Sequence, residues 1–221
     1  MKKVMILGLG KTMEQAPIEY DGEIWTCNDG ATRRTQAHGK PYITAMFNMH
    51  NLNVAFSSEK QAATLCEVFH IPVIGVQEYP WLRTSRRFPR EAVLKKIGRG
   101  RDIFSDVICY MFALAIYDGF EQVDIWGVHM HPVQRDSQES ALVHYWLGRV
   151  EGAGIKVNIH DYNDPHCAIL TNGVYWTGPG SYGHWNPEYR LGLEQEAKTK
   201  PMELPDGMLA DQKMPIQEVA K

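Results

Sequence analysis

Three kinds of residue in this chain could do chemistry: histidines just past strand-like runs, a glycine pair at the end of the first such run, and arginines interleaved with aromatics. His50 follows YITAMF, and His129 and His131 follow QVDIWGV. Imidazole titrates near neutrality, so a histidine at such a place can take a proton from an acceptor hydroxyl. His129 and His131 alternate along an extended segment and therefore point to opposite faces, which argues against one zinc ion between them. No metal site is expected. Asp106 and Asp124 read as ordinary helix and strand surface.

The first apolar run, KVMIL, ends in GLGKT. Glycines at 8 and 10 let a backbone approach a phosphate, and amides at the start of a following helix point partial positive charge at it. A βα turn also favours glycine with no ligand present. A dinucleotide fingerprint would need a third glycine three residues on, and Met13 stands there. Asp29 does fall near the distance at which a carboxylate grips a ribose, so a nicotinamide-linked enzyme stays open as an alternative.

These residues need elements to hold them. Strands are expected at Lys3 to Leu7, Glu23 to Cys27, Tyr42 to Phe47, Val73 to Val76, and in QVDIWGV and GAGIKVNI. Helices are expected in SSEKQAATLCEVFH, from Ile103 to Tyr117, and from about Ser137 to Glu151. The alternation predicts an α/β, Rossmann-like fold, a mostly parallel sheet flanked by helices. In such sheets ligands lie outside the carboxyl ends of the strands, where GLGKT and TCNDG both fall.

Composition sets the bounds. The chain has 221 residues, 44% hydrophobic and 22% charged, enough for a full core. The expected division is a nucleotide-binding catalytic domain over residues 1–190 and a polar tail over 191–221, where Pro201, Pro205 and Pro215 break any long helix. No apolar run approaches the ~18–20 residues of a membrane span, so a cytoplasmic protein without membrane contact is expected. The four cysteines form no CxxC pair, which favours buried thiols over disulfides or a metal knuckle. A net charge of −3 argues against nucleic-acid binding over the whole surface but allows one basic face. The stretch WLRTSRRFPREAVLKKIGRGRD supplies that face, with Arg83, Arg86, Arg87 and Trp81 beside the expected site mouth. Arginines with aromatics suit an anionic donor or a polyanionic acceptor such as DNA. A solvated face accounts for the same run. The aromatic, turn-rich stretch Tyr175 to Trp185 could stack on a sugar or a base, or pack as a loop over the sheet.

The succession ILGLGKTM, WTCNDG, AMFNMH and FSDVICYMFALAIYDGFEQVDIWGVHM, over roughly residues 3 to 160, resembles the sialyltransferase-like glycosyltransferases of bacteria and their phage relatives. The resemblance implies a nucleotide-sugar donor as co-substrate, no cofactor, and transfer of the sugar to an acceptor hydroxyl. It places Gly8 and Gly10 in the phosphate turn, with Lys11 and Thr12 where the family has Pro-Ser. It gives Asn28 a ribose or phosphate contact, Asn48 a place near the donor, and Ser105 and Tyr110 hydroxyl contacts to donor phosphates. Tyr110 joins His50 and His129 as the catalytic candidates. GVHM departs from the family by carrying His129 where an aspartate is usual, and Leu9 replaces the common asparagine between the glycines. A DNA acceptor bearing a hydroxymethylated base is one reading. A phosphoryl-transfer enzyme and a nucleotide-binding protein without turnover are further alternatives.

Overall fold

A computed structural model describes residues 1–98, 104, 106–128 and 137–160. All belong to one compact unit, Met1–Tyr175. The expected boundary at 190 and 191 lies outside the described residues.

Seven strands form one parallel sheet: β1 (Lys3–Leu7), β2 (Glu23–Cys27), β3 (Ala45–Asn48), β4 (Val73–Gly75), β5 (Ser85–Arg87), β6 (Gln122–Trp126) and β7 (Lys156–Ile159). Their spatial order is β5-β4-β3-β2-β1-β6-β7, so the chain winds outward from β1 in one direction and then returns to its other side. Strand order reverses between β1 and β6, which is where a crevice opens in sheets of this type. Both faces are covered, so the central strands bury apolar residues on both sides rather than alternating, with Thr26, Asn48 and Asp124 as buried polar exceptions. Val4 and Ile6 of β1 face one core with Trp25, Phe47, Phe112 and Trp146. Met5 and Leu7 face the other with Met13, Met46 and Leu52.

The helices are α1 (Gly30–His38), α2 (Ser57–Val68), α3 (Arg90–Val93), α4 (Val107–Tyr117) and α5 (Ser137–Gly152), with a 3-10 turn at Lys11–Gln15 and a π turn at Leu94–Gly98. The α/β, parallel-sheet expectation holds, and several boundaries move for local reasons. The third strand starts at Ala45 because Tyr42 has a φ of 42°, which an extended strand cannot carry. Helix α4 starts at Val107 rather than Ile103 because Asp106 is extended and its side chain accepts from the Ile108 amide, capping the helix. The last strand starts at Lys156 because Gly154, at φ 79°, turns the chain out of α5 first. Strand β5 and helix α1 are absent from the expected elements. Among the described residues no helix is long and apolar enough to cross a membrane.

Candidate active site at the carboxyl edge

Strands β2 and β3 end side by side, and α4 begins above them. Asn28 follows β2, Met49 and His50 follow β3, and Phe104, Asp106, Val107 and Tyr110 come from the entry to α4; together they line a cavity of about 230 Å³. Three separated stretches of sequence thus converge outside the carboxyl ends of β2 and β3.

Asn28 sits at φ 50°, and its Oδ1 is buried with no hydrogen-bond partner. Asparagine tolerates the left-handed region better than most residues, and such strain collects at functional positions. A buried acceptor without a donor costs about 1–3 kcal/mol, which a ligand N–H or O–H would relieve.

His50 is held at several atoms. Its amide donates to Asn48 Oδ1 at 2.9 Å, and its carbonyl accepts from the Tyr79 hydroxyl at 3.3 Å. Its Nδ1 lies 2.9 and 3.0 Å from the two carboxylate oxygens of Glu59. Asn48 Nδ2 donates to that same carboxylate at 3.2 Å. Asn48 is fully buried and Glu59 is 6% exposed. Asn48 therefore has both ends of its amide engaged, one by Glu59 and one by the His50 amide. Glu59 is the residue that sequence reasoning passes over; its signal is a carboxylate in the first turn of the helix that follows His50.

Tyr110 packs between aromatics, stacked on Phe104 with centroids 4.3 Å apart and edge-on to Phe88 at 5.0 Å. Burial pushes its hydroxyl pKa up. The proton therefore stays on the oxygen, which keeps its capacity to donate. Asp106 caps α4 and lines the cavity, where the sequence suggests plain helix surface.

The glycine turn ties two strand ends together. The Gly8 amide donates to Trp126 O and the Gly10 amide to Gly127 O, both at 2.8 Å. Gly127 returns its own amide to Thr12 Oγ1 at 2.8 Å. A Cβ on Gly8 would lie 2.2 Å from Gly127 O, and one on Gly127 would lie 2.9 Å from Met13 Cβ. Gly8, Gly10 and Thr12 thus bind the end of β1 to the end of β6. Met13, in place of the third fingerprint glycine, fills the resulting contact. The backbone of Lys11 opens the 3-10 turn.

The arginine run is less cationic than its sequence. Arg83 pairs with Glu67 at 2.7 Å and Arg87 with Glu91 at 2.6 Å. Arg86 donates to the carbonyls of Arg83 and Ser85. Trp81 is half exposed and donates from Nε1 to Asn53 Oδ1 at 3.1 Å, on the loop that follows His50. Ser105, His129, His131, Arg99, Arg101 and the stretch Tyr175 to Trp185 lie outside the described residues.

A second polar cluster corrects the reading of Asp124 as strand surface. Its carboxylate is 6% exposed and accepts from the Tyr20 hydroxyl at 2.5 Å, Gln122 at 2.6 Å, Asn158 at 2.8 Å and His160 at 3.0 Å. His160 in turn stacks on Trp126, centroids 4.4 Å apart. Burial alone would raise the Asp124 pKa, but the four hydrogen bonds outweigh it and hold the group below the usual carboxylate range. Tyr20 moves the other way, raised by burial and then by Asp124, so the proton stays on the phenol. Cys27, Cys66 and Cys109 are buried, as the absence of a CxxC pair suggests, and burial pushes the Cys66 thiol up to about 12. Cys167 lies outside the described residues. Among the described residues no group of three or more His, Cys, Asp or Glu side chains could hold a metal ion.

No family model matches the chain, and no curated protein matches it. Among solved structures the fold is similar to the sialyltransferase CstII from Campylobacter jejuni in complex with cytidine-5'-monophosphate, at 16% identity and a TM-score of 0.46 over 78% of this chain and 84% of that one. It is likewise similar to an α-2,3-sialyltransferase from the same organism in apo form, at 15% identity and 0.46 over 78% and 82%. The monofunctional α-2,3-sialyltransferase Cst-I from Campylobacter jejuni gives 14% and 0.46 over 90% and 96%. The likeness is one of fold alone.

Proposed function

We propose that this chain transfers a sugar from a nucleotide donor to an acceptor hydroxyl at the carboxyl-edge cavity. The observation that carries the reading is the convergence there of an unpartnered Asn28 Oδ1, the carboxylate-held His50 and the Tyr110 hydroxyl. Among the described residues the Tyr110 hydroxyl has no hydrogen-bond partner, so it can donate to a phosphate oxygen. Asn28 accepts from a ribose hydroxyl or a base amine. His50 takes the acceptor proton as the new glycosidic bond forms, and the nucleotide leaves with the electron pair of the broken bond. At about 230 Å³ the cavity is smaller than the ~300–1,000 Å³ of pockets that enclose a whole ligand, so it seats part of the donor. The reading assigns no role to a metal or a further cofactor.

The test is a melting-temperature screen with CMP, UDP, GDP, dTDP, NAD and ATP, followed by nucleotide release from the sugar conjugates of any stabilising nucleotide. Stabilisation that disappears in Asn28→Ala, together with release, supports the reading. Stabilisation without release from any conjugate makes the protein a binding module. Stabilisation by NAD alone, with hydride transfer, makes it a dehydrogenase.

A further inference from the structure

We propose that Glu59 is a positioning residue: it fixes the His50 imidazole with its proton on Nδ1, so that Nε2 is the nitrogen that takes the acceptor proton. The inference rests on the transferase reading for its use and on geometry alone for its existence. A carboxylate has no proton to donate at neutral pH, so a contact of 2.9 and 3.0 Å to both Glu59 oxygens requires Nδ1 to carry the hydrogen. In the neutral ring Nε2 is then the nitrogen without a hydrogen, on a side chain that lines the cavity and is 57% exposed.

The arrangement is built from beneath. Glu59 is a buried carboxylate on α2, and Asn48 at the end of β3 donates to it while accepting from the His50 amide. Asn48 thereby ties the carboxylate and the histidine backbone to one side chain. Tyr79 adds a third tie, donating to His50 O and accepting from the Leu52 amide at 3.0 Å, so the loop after β3 is fixed on both sides of the histidine. The charged or titratable side chains around the ring, among the described residues, are Glu59 from α2, and Asp106 and Tyr110 from the entry to α4. Among the described residues only Glu59 touches Nδ1.

During transfer the acceptor O–H bond breaks as its oxygen bonds to the sugar carbon. The proton passes to Nε2, the bond from that carbon to the phosphate oxygen breaks, and the nucleotide departs with those electrons. The imidazolium so formed keeps its Nδ1–H on Glu59, whose negative charge stabilises it until Nε2 releases its proton to water.

Two measurements separate this inference from the reading it serves. In histidine-labelled protein, long-range proton–nitrogen spectra report which nitrogen of His50 is protonated, with His50→Ala identifying the signals. The parent is expected to show the proton on Nδ1, Glu59→Ala to move it to Nε2, and Glu59→Gln, which keeps an acceptor but no charge, to leave it on Nδ1. A parent protonated on Nε2, or a tautomer indifferent to Glu59→Ala, overturns the proposal. The second measurement follows hydrolysis of CMP-, UDP-, GDP- and dTDP-sugars, with water as acceptor. Glu59→Ala is expected to lower kcat about tenfold, less than the ~10²–10⁴-fold of losing the base itself, with KM for the donor unchanged and Glu59→Gln intermediate. Hydrolysis as fast in Glu59→Ala as in the parent overturns the role in transfer. The expected tautomer in a parent that hydrolyses none of the donors overturns the transferase reading and leaves the hold of Glu59 on His50 standing.

Discussion

Asn28 combines two properties that substitution can separate. Its left-handed backbone would suit glycine, while its unpartnered Oδ1 suits a ligand. Asn28→Gly removes the side chain and relieves the strain at a cost in chain entropy, so unfolding free energy should change by less than about 0.5–1 kcal/mol. Nucleotide stabilisation should disappear in the same variant. Asn28→Val, which keeps bulk but is β-branched at φ 50°, should lose about 1–2 kcal/mol. A melting series with and without nucleotide checks both; a ligand-induced shift retained in Asn28→Gly removes this residue from the site. Asp124 yields a prediction of a different kind. Its folded-state pKa is depressed, so the stability it contributes is present above its unfolded value near ~3.9 and is lost as pH falls through the lower folded value. Asp124→Asn should therefore destabilise the protein at neutral pH, and the gap to the parent should close in acid. Urea denaturation at about pH 7 and about pH 3 measures that gap, and one that is equal at both pH values contradicts the assignment.

The glycine turn shows why a motif can be visible while its task is not. GLGKT after a strand reads as a phosphate loop because spacing reports where glycine is needed and not what approaches it. Here the approaching group is another strand end: a Cβ on Gly8 would meet Gly127 O at 2.2 Å, backbone against backbone. Gly8→Ala should cost about 3 kcal/mol, at the top of the range for overpacking, because neither contact partner can swing away. Gly148 in α5 has nothing within 4 Å of such a Cβ, so Gly148→Ala should stabilise by about 0.5–1 kcal/mol. Chemical denaturation of the pair decides it; near-equal effects would mean that the β1 and β6 turns give way. Strands β1, β2 and β6 are readable from sequence because apolar, largely β-branched and aromatic residues are buried on both faces, even with Thr26 and Asp124 among them. Helix α1 escapes because one of its buried positions is Arg34, which is fully buried and whose guanidinium donates to the carbonyls of Met13, Ala16 and Pro17. A charged side chain at a core position erases the apolar period that marks a helix. Strand β5 escapes because two of its three residues are arginines, as suits the edge of a sheet. At the site, Asn28, His50 and Tyr110 are readable from strand ends and the family motifs. The Glu59 contact is not, since it depends on how α2 folds back over β3.

Charge along the sequence and charge on the surface diverge most in the arginine run, and that divergence decides what the protein can hold. Counted by residue, Arg83, Arg86 and Arg87 look like a polyanion-binding face on a chain of net charge −3. In the fold Glu67 and Glu91 stand against two of them, and Arg86 donates to nearby carbonyls. Exposed ion pairs of this kind add little stability, about 0–1 kcal/mol each, but they do cancel the local field that would draw a phosphate backbone. A nucleic acid binding here would have to displace Glu67, whose pKa is lowered by the hydrogen bonds from Arg83 and Thr84 and which therefore stays charged. Each phosphate contact contributes close to −0.9 to the slope of log affinity against log salt on duplex DNA. With one arginine of the three free of a carboxylate partner among the described residues, the slope owed to Arg83, Arg86 and Arg87 should be no steeper than about −1. Titration of labelled duplex DNA from low to physiological salt, with the parent and with Arg86→Ala/Arg87→Ala, measures it. The expected result is a shallow slope that the double substitution leaves nearly unchanged. A slope near −3 to −4 in the parent that collapses in the variant would restore DNA as the acceptor. It would also mean that Glu67 and Glu91 release their arginines when the polyanion arrives.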